Sequence, residues 1–290
     1  MARVAFIGVG TMGLPMARSL LAAGHDVVPV DADRERAARV GRPAATPAEA
    51  AAAADVALLS LPTPAAVEAV VLGPAGVREG AARGFAVVDM STSPPALARR
   101  LDAELAPAGI ESLDAPVSGG PRGAEDATLT VMVGGSREGF ERMRPLFEAL
   151  GSLVVHVGAA GAGQAAKLCN NLIAGATMTA VAEACAIAER EGIEAATLYD
   201  LLTRSTGDSR VLRTRFPLAG VTESHPASRG FAPLFALDLM AKDLELVLEL
   251  AAARGVDAPV GSASLARYRE AQRRGLGALD YSAVFSARRP

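Results

Sequence analysis

Along the first half of the chain, short runs of β-branched and aliphatic residues alternate with longer, Ala-rich stretches. The runs predict strands at Val4–Ile7, Asp26–Val30, Val56–Leu61, Phe85–Asp89, Gly109–Asp114, Leu129–Val133 and Leu153–Val157. The stretches between them predict helices at Met12–Ala23, Arg34–Val40, Pro64–Val71, Pro94–Ala106 and Arg137–Leu150. Strands that alternate with helices in this way form βαβ units and a mostly parallel sheet. After Gly158 the pattern changes. An apolar, proline-free stretch from Gly163 to about Glu191 predicts one long helix, roughly 40 Å at 1.5 Å per residue. Further helices are predicted at Ala195–Arg204, Leu234–Arg254 and Pro259–Arg274. Arg215–Pro233, with three Pro and two Gly, reads as a loop. No strand pattern is evident in this half. The expected organisation is an α/β domain over 1–160 and an all-α domain over 161–290, joined by the long helix, with the break at GAAGAG.

Composition narrows the function classes. The 290 residues carry 29 Lys+Arg against 32 Asp+Glu, a net charge of −3, which offers no basic face for nucleic acid. Half the residues are hydrophobic, enough for a sizeable core. Uninterrupted apolar runs fall short of the ~20 residues of a membrane span, so no membrane partner is expected. The N-terminal MARVAFIG lacks the long apolar stretch of a secretory signal, and a cytoplasmic location is expected. Cys169 and Cys185 lie 16 residues apart on the long helix, about 24 Å of rise, and cannot bond to each other. Both are expected to be buried thiols. No His/Cys cluster has zinc spacing, so no metal is expected.

The cations are unevenly chosen. Twenty-seven of the 29 are Arg; the two lysines are Lys167 and Lys242. The amides are equally scarce: Asn170, Asn171, Gln164 and Gln272. Guanidinium can replace an exposed ammonium, but it cannot exchange a proton near neutral pH. Four of these six rare residues fall within GQAAKLCNN, residues 163–171. That clustering marks the segment as one where amine and amide chemistry is needed.

Three motifs carry chemistry. Gly8, Gly10 and Gly13 form G-x-G-x-x-G after a predicted strand, open a predicted helix and precede a second strand ending at Asp31. In that context the spacing signals a dinucleotide-binding, Rossmann-type domain. Gly8–Val9–Gly10–Thr11–Met12–Gly13 would cradle the diphosphate at a helix N-terminus, and Asp31 would accept the adenine ribose hydroxyls, favouring NAD over NADP. Arg34 and Arg36 follow closely and could soften that preference. Leu61–Pro62–Thr63 and Ser91–Thr92 sit at strand ends, where ligands bind in open α/β sheets. For Thr63 and Ser93, helix capping is an equal expectation, since each precedes a helix-opening proline. Ser118–Gly119–Gly120 follows another strand end, and its exposed main-chain N–H groups suit a small carboxylate. On the long helix, Lys167 and Asn171 are i and i+4 and share a face. Apolar surroundings would desolvate the Lys167 amine, which suits proton exchange with a hydroxyl or carbonyl. Lys242 has Asp238 four residues before it and Asp243 beside it, so a surface i,i+4 ion pair competes with a site role.

Taken together, IGVGTMGLPMARSLLAAGHDV, DAPVSGGPRGAEDATLTVMVGG, GAGQAAKLCNNLI and AKDLELVLELA resemble, in order, the cofactor, substrate, catalytic and cofactor-closing motifs of the β-hydroxyacid dehydrogenase family. The resemblance spans essentially the whole chain. It implies that Lys167 is the catalytic lysine, that Asn171 with Ser118, Gly119 and Gly120 holds substrate, and that Leu61, Pro62, Thr92 and Lys242 contact NAD. It also implies a homodimer or homotetramer. Within the family the strongest likeness is to members acting on 3-hydroxyisobutyrate; reductases of tartronate semialdehyde, glyoxylate and succinic semialdehyde are siblings. Ala66 stands where such members often have Asn, so one cofactor hydrogen bond of the family is expected to be missing. The loop SHPASRGFAPLF also departs from those siblings. Two rival readings remain: an NADPH-dependent semialdehyde reductase, which Asp31 disfavours, and a scaffold that binds NAD(H) without catalysis, which has no need of Lys167.

Overall fold

The computed structural model describes residues 1–288, which fall into two compact units, Met1–Lys167 and Leu168 onward. The first unit is built in chain order from β1 (Arg3–Ile7), α1 (Gly13–Ala22), β2 (Asp26–Val30), α2 (Arg34–Ala38), α3 (Pro47–Ala52), β3 (Val56–Leu59), α4 (Pro64–Leu72), α5 (Val77–Gly80), β4 (Ala86–Asp89) and α6 (Pro95–Leu105). It continues with β5 (Glu111–Asp114), β6 (Val117–Ser118), α7 (Gly120–Glu125), β7 (Thr130–Gly134), α8 (Arg137–Glu148) and β8 (Leu153–Gly158). The eight strands form one sheet in the order β2-β1-β3-β4-β5-β7-β6, with β8 paired to β7. From β2 to β5 all pairings are parallel, and β7–β8 is parallel too. β7 runs antiparallel to β5 and β6. The sheet is therefore mostly parallel, as the strand–helix alternation requires.

Strand side chains alternate sides, and β1, β3 and β4 are buried on both faces, whereas Leu153, Val155 and Val157 of β8 are exposed. Val4, Phe6, Leu58 and Val88 enter one core with Met16, Leu20 and Phe147. Ala5, Ile7, Leu59 and Val87 enter the other with Val67, Leu97 and Leu101. β1, β3 and β4 accordingly read as nearly continuous hydrophobic runs.

α9 (Ala162–Arg190) links the two units, and α10 (Ala195–Leu202), α11 (Arg210–Arg215), α12 (Leu237–Ala253) and α13 (Pro259–Arg273) follow, with short 3-10 turns at Pro226–Arg229 and Tyr281–Arg288. Among the described residues the second unit has no strand, only the isolated bridge Ala236–Asp280. Its core packs Met178, Ala182 and Cys185 of α9 against Phe216, Leu244, Tyr268 and Phe285. Asp280 is fully buried and accepts hydrogen bonds from the N–H groups of Leu234, Phe235 and Ser282, tying the loop before α12 to the chain's last turn.

Over its 29 residues α9 is long and apolar enough, by length and composition, to cross a membrane, although no uninterrupted run suggested it. Met178, Val181, Ala182, Cys185 and Ala188 of α9 are spent on the helical core instead. The two cysteines differ from expectation: Cys185 is buried but Cys169 is exposed. Sixteen residues at 100° each turn the helix about 160° beyond whole turns, so the two thiols face opposite ways.

Candidate active site

The parallel register sets Val30, Ile7, Leu59, Asp89 and Asp114 in one row across β2, β1, β3, β4 and β5. The segments that follow these residues therefore leave the sheet along a single edge. That edge, at the carboxyl ends of the strands, is where open α/β sheets bind ligands.

The glycine loop leaves β1 here. Gly8 has φ +92° and donates its N–H to Val30 O at 2.8 Å; a side chain there would strike the Ser60 carbonyl. A side chain at Gly13 would strike the Gly8 carbonyl, so this glycine lets α1 start directly against the loop. Gly10 is different. Nothing lies within 4 Å of where its Cβ would be, so its backbone is open to an approaching group. Val9 N–H donates to Asp31 Oδ2 at 2.8 Å, and Asp33 N–H donates to Asp31 Oδ1 at 2.9 Å. Asp31 is thus held at the end of β2 beside the loop. Arg36 pairs with Asp33 at 3.2 Å and stands 4.0 Å from Asp31. A cavity of about 600 Å³ borders Val9, Gly10 and Thr11 and runs along α1 to Arg18, Arg36 and Arg39. An open glycine backbone at a helix N-terminus, a fixed carboxylate and flanking guanidinium groups fit a dinucleotide's diphosphate and ribose.

The next two strand ends are joined. Leu61 N–H donates to Ser91 Oγ at 2.9 Å, which ties the loop carrying Leu61–Pro62 to the one carrying Thr92. Thr63 caps α4, accepting from Ala66 N–H at 3.1 Å. Ser93 does not cap α6, against the expectation from its proline. Its hydroxyl instead donates to Asp89 Oδ2 at 3.0 Å, because a buried carboxylate lies beneath it. Ser118 ends β6, and Gly119 and Gly120 turn into α7 with φ of +143° and +68°. The two-residue strand and six-residue helix on either side were not predicted; both are too short to show a period.

The first turn of α9 is fastened to the sheet by two acids that sequence reasoning did not single out. Asp114 is 2 % exposed and accepts Gly161 N–H at 2.7 Å and Gln164 N–H at 2.8 Å. Burial raises its pKa, and these N–H groups oppose the rise. Asp89 is 3 % exposed and accepts Ser91 N–H at 2.9 Å. Burial pushes it up to about 6, against the hydrogen bonds from Ser91 and Ser93. A side chain at Gly163 would strike the Met132 carbonyl, so α9 begins in contact with strand backbone. This packing carries the first compact unit past GAAGAG to Lys167. Lys167 itself is buried, at 8 % exposure.

In the second unit, Asn171 is buried and donates from Nδ2 to Asp243 Oδ2 at 2.6 Å, while its Oδ1 accepts from Asn170 at 2.9 Å. Lys242 Nζ lies 3.1 Å from Asp243 Oδ1. The anticipated partner, Asp238, instead accepts from Gln272 at 2.7 Å. Asp243, 1 % exposed, thus holds both the amide and the second lysine. Its adjacency to Lys242 in the sequence was the only available hint.

A mostly parallel sheet with this loop and this acid defines a dinucleotide-binding protein. Residues 3–158 match the family described as the NAD-binding domain of 6-phosphogluconate dehydrogenase, and residues 161–287 that described as NAD-binding of NADP-dependent 3-hydroxyisobutyrate dehydrogenase. The chain is 42 % identical to the NAD-dependent L-serine dehydrogenase of Pseudomonas aeruginosa, over 98 % of this chain and 97 % of that protein. It is 39 % identical to the 3-hydroxyisobutyrate dehydrogenase of the same organism, over 90 % and 89 %. The structure of Mycobacterium tuberculosis 3-hydroxyisobutyrate dehydrogenase with L-serine superposes with a TM-score of 0.92 at 38 % identity, covering both chains completely. The chain belongs to the β-hydroxyacid dehydrogenase family and is an NAD-dependent oxidoreductase.

Proposed function

We propose that this protein oxidises the primary alcohol of a small β-hydroxy acid to the aldehyde, with 3-hydroxyisobutyrate, giving methylmalonate semialdehyde, as the leading substrate. The observation that carries this reading is the placement of Lys167: a buried amine on a helix whose first turn is hydrogen-bonded to the carboxyl ends of β4 and β5. NAD, when bound, supplies the hydride acceptor. The Gly8–Gly13 loop and Asp31 would hold its diphosphate and ribose, and Leu61, Pro62, Thr92 and Lys242 its remaining length. The main-chain N–H groups at Ser118–Gly119–Gly120 receive the substrate carboxylate. Lys167 accepts a hydrogen bond from the substrate hydroxyl and takes its proton as the carbinol C–H bond breaks; in the reverse direction it returns that proton to the carbonyl oxygen. Asn171, one helical turn later and aimed by Asp243, orients the reacting oxygen.

The specificity of Asp31 supports NAD over NADP. Its carboxylate repels a 2′-phosphate, and Arg36, the nearest compensating cation, is engaged by Asp33. The 42 % identical L-serine dehydrogenase supports a second substrate reading. L-Serine shares the primary alcohol and the carboxylate and carries an ammonium where 3-hydroxyisobutyrate has a methyl. The association into a homodimer or homotetramer is part of the same proposal, and sedimentation of the purified protein tests it.

Lys167→Ala is the direct test of the chemistry. Loss of a general acid/base lowers turnover by about 10²- to 10⁴-fold. The expected result is a kcat reduced by that amount with NADH affinity preserved. Near-normal turnover of the variant would overturn the assignment. Measuring kcat/KM for 3-hydroxyisobutyrate, L-serine and the related semialdehydes, each with NAD and NADP, decides among the substrates.

A further inference from the structure

Among the scarce amides clustered near Lys167, Gln164 has no assigned role. It is fully buried, and its side chain makes an unusually complete set of contacts. Oε1 accepts Ser93 N–H at 3.0 Å, and Nε2 donates to Ser91 O at 2.9 Å, with Asp89 Oδ2 at 3.4 Å. One amide therefore pairs with the main chain on both sides of Thr92. The same short loop is gripped from below, where Asp89 accepts Ser91 N–H and the Ser93 hydroxyl. It is also tied sideways, where Ser91 Oγ accepts Leu61 N–H. Gln164 lies three residues before Lys167 on α9, so the two side chains project from nearly the same side of the helix.

We infer that Gln164 is a positioning residue: its amide locks the Ser91–Ser93 loop to the first turn of α9 and thereby sets Lys167 relative to the loop that bears Thr92. An apolar side chain would fill this space, and the protein interior would ordinarily favour one. A buried primary amide is retained only with its donors and acceptor satisfied, and here every partner is main chain or a carboxylate of the strand ends. Main-chain partners on a loop and a side chain on a helix make a fixed-length strut. The inference rests on the reading of Lys167 as the acid/base group. Misplacement by about 1 Å at a reacting centre can lower rate about 100-fold.

The test compares Gln164→Met with Gln164→Glu and runs Lys167→Ala beside them. Methionine keeps the volume and removes all three side-chain hydrogen bonds. Protonated glutamic acid restores one acceptor and one donor; Asp89 of β4 and Asp114 of β5 are both acids and favour its neutral form, against the opposing charge of Lys167 three residues on. The expected result is a 10- to 100-fold lower kcat for Gln164→Met. Its KM for the hydroxy acid should be unchanged, because the Ser118–Gly120 segment is untouched, and its melting temperature should fall, because Ser93 N–H and Ser91 O are left buried without their partner. Gln164→Glu should recover most of that loss at pH 6 and lose it again as the pH rises. A kcat for Gln164→Met within twofold of the parent overturns the inference. So does a loss that Gln164→Glu fails to recover at pH 6, which would make the amide a packing element only. If Lys167→Ala keeps its turnover, the acid/base reading falls instead. If Lys167→Ala is inactive while Gln164→Met is normal, only the positioning role falls.

Discussion

Replacing Asp89 with Asn makes a quantitative test of the buried acid beneath the Ser91–Ser93 loop. Burial raises the Asp89 pKa from 3.8 to about 6. A pKa raised in the native state means that the acid's contribution to stability is complete below the unfolded value and is lost as pH rises through the native one. A change from 3.8 to about 6, at 1.36 kcal/mol per unit, is a loss of roughly 3 kcal/mol across the whole range. About half of it falls below pH 5, leaving roughly 1.4 kcal/mol between pH 5 and pH 8. Asn reproduces the neutral acid: its oxygen accepts Ser91 N–H and its amide meets the Ser93 hydroxyl. It cannot ionise. The difference in unfolding free energy between Asp89→Asn and the parent should therefore grow by about 1.4 kcal/mol from pH 5 to pH 8, in favour of the variant. Asp114 is also raised by burial, but it is present in both proteins and largely cancels. Urea unfolding followed by circular dichroism at pH 5, 6.5 and 8 gives the numbers. A difference that stays flat within about 0.4 kcal/mol would refute the claim that Asp89 is held as a destabilised carboxylate.

Other outcomes follow from the same structure. Asp31→Ser removes the repulsion toward a 2′-phosphate and leaves Arg36 with one carboxylate fewer; the NADP to NAD ratio of kcat/KM should rise by about 100-fold, measured by NAD(P)H absorbance. Asp243→Ala leaves the Asn171 amide and Lys242 without their shared carboxylate, and kcat should fall by about 10- to 100-fold while the fold is retained by circular dichroism. A thiol reagent should label Cys169 in the native protein and reach Cys185 only on unfolding, since burial pushes the Cys185 thiol up to about 12. Two equivalents reacting at once without denaturant would contradict this.

The order of strands and helices was legible because each long element carries its own pattern, short β-branched runs against longer Ala-rich stretches. The strands of the parallel sheet are continuous apolar runs, and α9 is a long proline-free stretch. Short elements left weaker marks. α3 opens on Thr46–Pro47–Ala48–Glu49, a capping signature in which the N-cap Thr46 Oγ1 accepts Glu49 N–H at 3.1 Å, and it could have been found from that spacing. β6 offered nothing comparable. The glycine loop and Asp31 were visible because their chemistry is local: conformation, close approach and charge are properties of single residues at fixed spacing. Lys167, Gln164 and the paired asparagines stood out through scarcity in an Arg-rich chain.

What each of these groups touches was decided by tertiary structure alone. Asp89 and Asp114 look like ordinary strand-end acids in the sequence; burial against α9 turns them into its anchors. Asp243 took Lys242 from the expected Asp238, and Ser93 gave up a cap for a carboxylate. Local sequence dictates which backbone shape a segment prefers, since that depends on neighbours a few residues away. Which acid loses its water, and which donor replaces that water, depends on residues 50 or 75 positions distant meeting in a dry interior, as Asp114 and Asp89 meet Gln164.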